Sequence, residues 1–111
     1  MSVSTHVLDT ARGRPATGLA VTPSHRTLDG NWSVLGRAIS DADGRVRELA
    51  KGALDSGVYR FEFATGTYFE ESGTRAFYPE VSVVFNLSDS GGHLHVPQLL
   101  SPFGYATYRE T

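Results

Sequence analysis

The most regular stretch of the chain is Val58-Tyr59-Arg60-Phe61-Glu62-Phe63-Ala64. Tyr59, Phe61 and Phe63 alternate with Arg60 and Glu62, so a strand here turns an aromatic face inward and a charged face to water. Comparable short runs recur between turn signals. Val3 to Leu8 is rich in strand formers and closes at Asp9-Thr10-Ala11-Arg12-Gly13-Arg14-Pro15. Gly18 to Thr22 is a second run. Trp32 to Ile39 is a third, after the Asp29-Gly30-Asn31 turn, with Trp32, Val34 and Ala38 near one face. The turn Asp41-Ala42-Asp43-Gly44 precedes Arg45 to Leu49. Pro79 opens Val81-Ser82-Val83-Val84-Phe85, the most strongly apolar strand, and His93 to Leu100 and Phe103 to Tyr108 complete the set. Only Thr67 to Ala76 breaks the alternation. There Tyr68 to Ser72 suits a single helical turn, ended by Gly73.

Turn residues spaced about eight to twelve apart are the mark of sandwiches and barrels. Eight short strands with one short helix predict an all-β fold, an eight-stranded antiparallel β-sandwich of two packed sheets. Pro97 predicts an edge or a bulge for the His93–Leu100 strand, because proline brings no N–H to a ladder. No linker, repeat or low-complexity tract interrupts the chain, so residues 1–111 read as one domain.

The absence of cysteine excludes disulfides, thiolate metal sites, iron–sulfur clusters and a cysteine nucleophile. A formal net charge of −2 offers no broad attraction to nucleic acid or an anionic membrane. No run approaches the ~20 apolar residues that span a bilayer. Met1 to His6 shows no basic region followed by an apolar run, so no secretory signal is expected and the cytoplasm is the expected compartment. Nine of the ten basic residues are arginine. That composition suits paired hydrogen bonds to planar anions, and it also follows from genome base composition alone.

Histidines supply the candidate chemistry. His93 and His95 lie two apart on a strand, so their rings share a face about 7 Å apart at the backbone. That spacing suits a two-histidine metal pair, a cleft wall, or an exposed edge with solvated rings. His25, in Pro23-Ser24-His25-Arg26, reads as a polar surface loop. His6, inside an otherwise apolar run, reads on its own as a satisfied, partly buried side chain. Asp41-x-Asp43-Gly44 matches only the opening of a calcium loop and reads as turn chemistry. There is no nucleophile elbow, phosphate loop or dinucleotide fingerprint.

Three segments together resemble one family. They are Ser4-Thr5-His6-Val7-Leu8-Asp9 with Gly13-Arg14-Pro15-Ala16, then Asp43-Gly44-Arg45, then His93-Leu94-His95-Val96-Pro97-Gln98-Leu99-Leu100-Ser101-Pro102-Phe103-Gly104-Tyr105-Ala106-Thr107-Tyr108-Arg109. Tyr68-Phe69 and Phe77-Tyr78-Pro79-Glu80 fit between them. In this order, over nearly the whole chain, they resemble the transthyretin-like 5-hydroxyisourate hydrolases of urate breakdown. The last segment is the specific one, since true transthyretins, the hormone carriers, lack the His-x-His-Val-Pro run and the terminal Tyr-Arg.

The resemblance implies an eight-stranded sandwich assembled as a homotetramer, a dimer of dimers with active sites in a central channel. It implies hydrolysis of 5-hydroxyisourate to 2-oxo-4-hydroxy-4-carboxy-5-ureidoimidazoline, with no cofactor and no metal. Carried over residue by residue, the catalytic set falls on His6, Arg45 and His95, and substrate binding on His93, Tyr108, Arg109 and Thr111. A histidine base and a guanidinium suit that chemistry, because opening a cyclic amide with water needs a proton acceptor near neutral pH and a cation for the developing oxyanion. Where the family ends Tyr-Arg-Gly-Ser, this chain ends Tyr108-Arg109-Glu110-Thr111. The alternative from another class is a non-catalytic transthyretin-like carrier of an aromatic small molecule. A metal-binding sandwich built on His93 and His95 is a third.

Overall fold

The structure is a computed structural model that describes residues 2–49, 54–88 and 92–110. Its elements follow the alternation in the sequence. In chain order they are β1 (Ser2–Asp9), β2 (Arg14–Pro15), β3 (Ala20–Arg26), β4 (Trp32–Val34), β5 (Ala38–Ile39), β6 (Arg45–Val46), β7 (Gly57–Phe63), α1 (Thr65–Glu71), β8 (Val81–Leu87), β9 (His93–Ser101) and β10 (Gly104–Thr107). One sheet has the order β10-β9-β1-β2, with β6 also on β1; the other has the order β4-β3-β7-β8, with β5 also on β3.

The two sheets face each other across one apolar core. Val3, Val7, Leu94, Val96 and Leu100 come from the first sheet, and Val21, Tyr59, Phe61, Phe63, Val81, Val83 and Leu87 from the second. The aromatic face expected of β7 is buried as the alternation requires. Thr5 is also fully buried, and its hydroxyl is satisfied by donating to the Val96 carbonyl at 2.7 Å.

In six places the structure departs from the expected pattern. The first sheet is mixed, because β1 and β9 run parallel in an unbroken register from Ser2–His93 to Asp9–Leu100. These strands come from opposite ends of the chain, so no hairpin forces them antiparallel. As a result β9 is not an edge strand, although it contains Pro97. The Pro97 carbonyl faces β10 and accepts from the Thr107 hydroxyl at 2.8 Å, while the last β9–β10 pair is Gln98–Thr107. The missing N–H therefore falls just beyond the end of the ladder.

His25 is not in a loop. It lies on β3 opposite Tyr59, half-buried, with the two rings 5.1 Å apart. The run expected over Trp32–Ile39 is divided into β4 and β5 by a bend, and the strand expected over Arg45–Leu49 keeps its ladder only at Arg45–Val46. Leu49 still packs in the core and donates its N–H to the Val3 carbonyl.

The helix is longer than one turn. α1 begins at Thr65, where Gly66 packs so closely on Pro79 that a Cβ would strike the Pro79 carbonyl. It ends before Gly73, whose φ of +70° suits glycine, with Gly73 and Thr74 N–H groups closing back on Glu70 and Phe69 carbonyls. Phe69 is buried, and the Tyr68 hydroxyl donates to the Asp9 carboxylate at 2.7 Å, tying α1 to the end of β1. No described helix is long and apolar enough to cross a membrane.

Candidate active site

While Val3, Thr5 and Val7 of β1 point into the core, Ser2, Ser4 and His6 point outward, as a period of two demands. Parallel pairing with β9 sets Ser2 beside His93 and Ser4 beside His95. On the other side of β1, antiparallel pairing with β6 sets His6 beside Arg45. Three strands thus bring their polar residues to one outer face of the first sheet.

The Asp41–Gly44 turn delivers Arg45 to that place. Asp41 Oδ1 accepts the backbone N–H groups of Asp43 at 2.9 Å and Arg45 at 3.0 Å. These bonds hold its carboxyl below the ordinary carboxylate range, the Arg45 N–H bond most of all. Gly44 has φ +77°, and its backbone presses on β1, so that a Cβ would meet the Val7 carbonyl and the Pro15 side chain. Its own carbonyl accepts the Val7 N–H at 2.8 Å. The acidic turn is a clamp between β6 and β1.

His6 Nε2 lies 2.8 Å from the Asp43 carbonyl. A carbonyl only accepts, so Nε2 carries the proton and the neutral ring offers Nδ1 as its lone pair. Ser4 Oγ lies between the other two rings, 2.6 Å from His93 Nε2 and 2.7 Å from His95 Nδ1, and Ser2 Oγ is 2.6 Å from His93 Nδ1. Burial pushes the His95 pKa down. The Glu110 carboxylate opposes that shift, while Arg45, His6 and His93 reinforce it. His95 is therefore more readily neutral than a free histidine.

Ser4, Thr5, Arg45, Val46, Arg47, His93 and His95 line a depression of about 330 Å³ on this face. The structure thus gathers His6, Arg45, His93 and His95 into one neighbourhood. Tyr108 and Arg109 lie elsewhere, on an apolar hollow of about 210 Å³ that includes Val83, Phe85, Leu94 and Val96. Thr111 lies outside the described residues. Glu110 connects the regions, because its N–H donates to the His95 carbonyl at 3.0 Å and lays the tail along β9. Among the described residues, no group of three histidine, aspartate or glutamate side chains is placed to hold a metal ion, so His93 and His95 stand as a pair.

Sequence reasoning passed over Ser2, Ser4 and Arg47. The signal for all three is the period of two: Ser4 and Ser2 step back from His6, and Arg47 steps on from Arg45.

Residues 3–110 match the HIUase/Transthyretin family. The 5-hydroxyisourate hydrolase of Salmonella dublin is 42% identical over 108 residues, which cover 96% of this chain and 79% of that protein. The structure of Klebsiella pneumoniae 5-hydroxyisourate hydrolase superposes with a TM-score of 0.87 at 29% identity, covering 99% of this chain and 93% of that one. Sea bream transthyretin in complex with thyroxine superposes with a TM-score of 0.93 at 33% identity, covering 99% of this chain and 95% of that one. The backbone is common to both kinds of protein, so the side chains on the outer face must separate them. With its sandwich, its glycine-clamped turn and a match over nearly its whole length, the chain belongs to the HIUase/transthyretin family.

Proposed function

We propose that this chain hydrolyses 5-hydroxyisourate to 2-oxo-4-hydroxy-4-carboxy-5-ureidoimidazoline in urate breakdown. The observation that carries this reading is the meeting of His6, Arg45 and His95 on one face, delivered by β1, β6 and β9. His95 takes a proton from water as the water oxygen bonds to the lactam carbonyl carbon. The Arg45 guanidinium stabilises the oxyanion and holds the planar ring. The carbon–nitrogen bond then breaks, and the proton returns from His95 to the departing nitrogen. His6, with Nε2–H held by the Asp43 carbonyl, offers Nδ1 to a substrate N–H. General base assistance of this kind is worth about 10²–10⁴-fold. No cofactor takes part in these steps.

The functional unit in this reading is a homotetramer, a dimer of dimers. β8 is an outer strand of its sheet with Val84 55% exposed, an edge that calls for a partner. The depression at Arg45 and His95 opens outward, where a facing subunit closes it into a channel. Substrate binding by Tyr108, Arg109 and Thr111 is carried over from the family resemblance: within one chain Tyr108 and Arg109 line the separate hollow, so in this reading they reach the substrate through the assembly, and His93 contributes from β9. The assembly works in the cytoplasm on a small molecule, with neither nucleic acid nor membrane as partner.

The backbone likeness to a thyroxine-bound transthyretin favours a second reading, a non-catalytic carrier of an aromatic ligand. One experiment separates the two. The chain is added to urate and urate oxidase, and the ultraviolet decay of the intermediate is followed against its spontaneous rate. Acceleration supports the hydrolase. An unchanged decay, with stoichiometric thyroxine binding by calorimetry, establishes the carrier instead.

A further inference from the structure

We propose that Ser4 is a positioning residue whose single hydroxyl proton couples the tautomers of His93 and His95. Its hydroxyl lies within hydrogen-bond distance of both rings, 2.6 Å from His93 Nε2 and 2.7 Å from His95 Nδ1. A hydroxyl has one proton, and a neutral imidazole has one N–H. Ser4 therefore donates to one ring and accepts from the other.

Two arrangements satisfy every group. In the first, Ser4 donates to His93 Nε2 and accepts the His95 Nδ1–H, which leaves His95 Nε2 as a bare lone pair. His93 then carries its proton on Nδ1 and donates it to Ser2 Oγ, 2.6 Å away. In the second, Ser4 donates to His95 Nδ1 and accepts the His93 Nε2–H, while Ser2 donates to His93 Nδ1. His95 then carries its proton on Nε2 and has no lone pair left for water. The two rings always share a tautomer, both Nδ1–H or both Nε2–H. Ser4 is only 7% exposed and is register-paired with His95, so the backbone holds the bridge in place.

Exchange between the arrangements conserves protons, because each ring loses one N–H and gains the other as the two hydroxyls reverse. Among the described residues, the charged and titratable groups that act on His95 are His6, Arg45, His93 and Glu110. Of these, only His93 reaches it through a shared hydroxyl.

The coupling itself is read without any assay of hydrolysis; only its kinetic consequence rests on the function proposed above. Protein with ¹⁵N-labelled histidine is titrated by NMR, with Ser4→Ala and Ser4→Thr beside the unchanged chain. The proposal expects equal tautomer ratios at His93 and His95 above neutrality. Ser4→Ala should make the two ratios independent and lower kcat about tenfold with KM nearly unchanged. Ser4→Thr, which keeps the oxygen, should restore both. Unequal ratios in the unchanged chain overturn the proposal even if Ser4→Ala fails to fold. So does a Ser4→Ala protein whose ratios stay matched, or a Ser4→Thr protein that behaves like Ser4→Ala. Matched tautomers in a chain that does not speed the decay of 5-hydroxyisourate leave the coupling standing and remove the hydrolase reading alone.

Discussion

Arg45 sits directly opposite His6 across the β1–β6 pair, and the same short turn holds both. The Asp43 carbonyl accepts from His6 Nε2, while Asp41 Oδ1 accepts the Arg45 N–H. One four-residue loop therefore sets a ring tautomer on one strand and a guanidinium on the next. Gly44 makes this possible, because only a residue without a Cβ allows the loop to lie against Val7.

Gly44→Ala should injure the site as well as the fold. The left-handed backbone and the contact with the Val7 carbonyl together cost about 2 kcal/mol or more. The loop then moves away from β1 and takes Arg45 with it. The expected outcome is a lowered Tm and a fall in kcat/KM of at least about tenfold, since small displacements of a charge-stabilising group cost about that much. Retained activity at reduced stability would show that the clamp does not position Arg45.

His6→Ala, Arg45→Ala and His95→Ala should each lower kcat/KM on the order of 10²-fold or more while the sandwich still folds. His25→Ala is the control. His25 packs on Tyr59 at one end of the core, so its removal should lower Tm and leave kcat/KM unchanged. Steady-state kinetics and a thermal melt on all four proteins check this. Near wild-type rates in the first three would mean that the depression is not where the reaction occurs.

The pH profile should report His95. Burial holds its pKa below the ordinary 6.5, so the acid limb of kcat/KM should lie below that value, with activity falling as the ring charges. Among the described residues, Glu110 is the one neighbour that pulls this pKa upward. Glu110→Gln should therefore move the limb to still lower pH. A shift to higher pH would show that the tail carboxylate does not face the imidazole.

Tyr68 and Asp9 should lend the fold an alkaline weakness. Burial, and then the bond to Asp9, push the Tyr68 phenol from 10 up to about 12. A raised folded-state pKa means that the native state favours the neutral phenol. The stability this contributes is complete below about pH 10 and is lost as pH rises towards about 12. Tyr68→Phe should lower stability at pH 7 by about 1–3 kcal/mol, because the buried Asp9 carboxylate loses a donor. The variant should also flatten the alkaline fall in stability. Denaturant melts of both proteins between pH 7 and pH 12 measure the two effects.

Light scattering at micromolar concentration should show a tetramer. Val84→Lys, at an exposed position on the edge strand β8, should weaken the assembly and lower activity together. Full activity in a stable monomer would mean that one subunit carries a complete site.

Much of the fold is local and therefore legible in the order of residues. The alternation in Tyr59, Phe61 and Phe63 determines a half-buried strand, and Asp41-Ala42-Asp43-Gly44 determines a turn, because period and turn chemistry act over a few positions. The motif around His93 and His95 likewise points to the family by itself. What the chain order does not contain is the partner of each strand. Parallel pairing of β1 with β9 joins residues about ninety positions apart, and only that register brings Ser4 to His95. The same pairing puts Pro97 inside a sheet, where sequence reasoning expects an edge, and β3 carries His25 into a ladder where a loop is expected. Strand pairing is decided by which faces can be buried together across the whole core, and no short window of sequence records that choice. The hydroxyl shared by two rings is its product: Ser4 carries no motif of its own, and its place between His93 and His95 exists only once the sheet has formed.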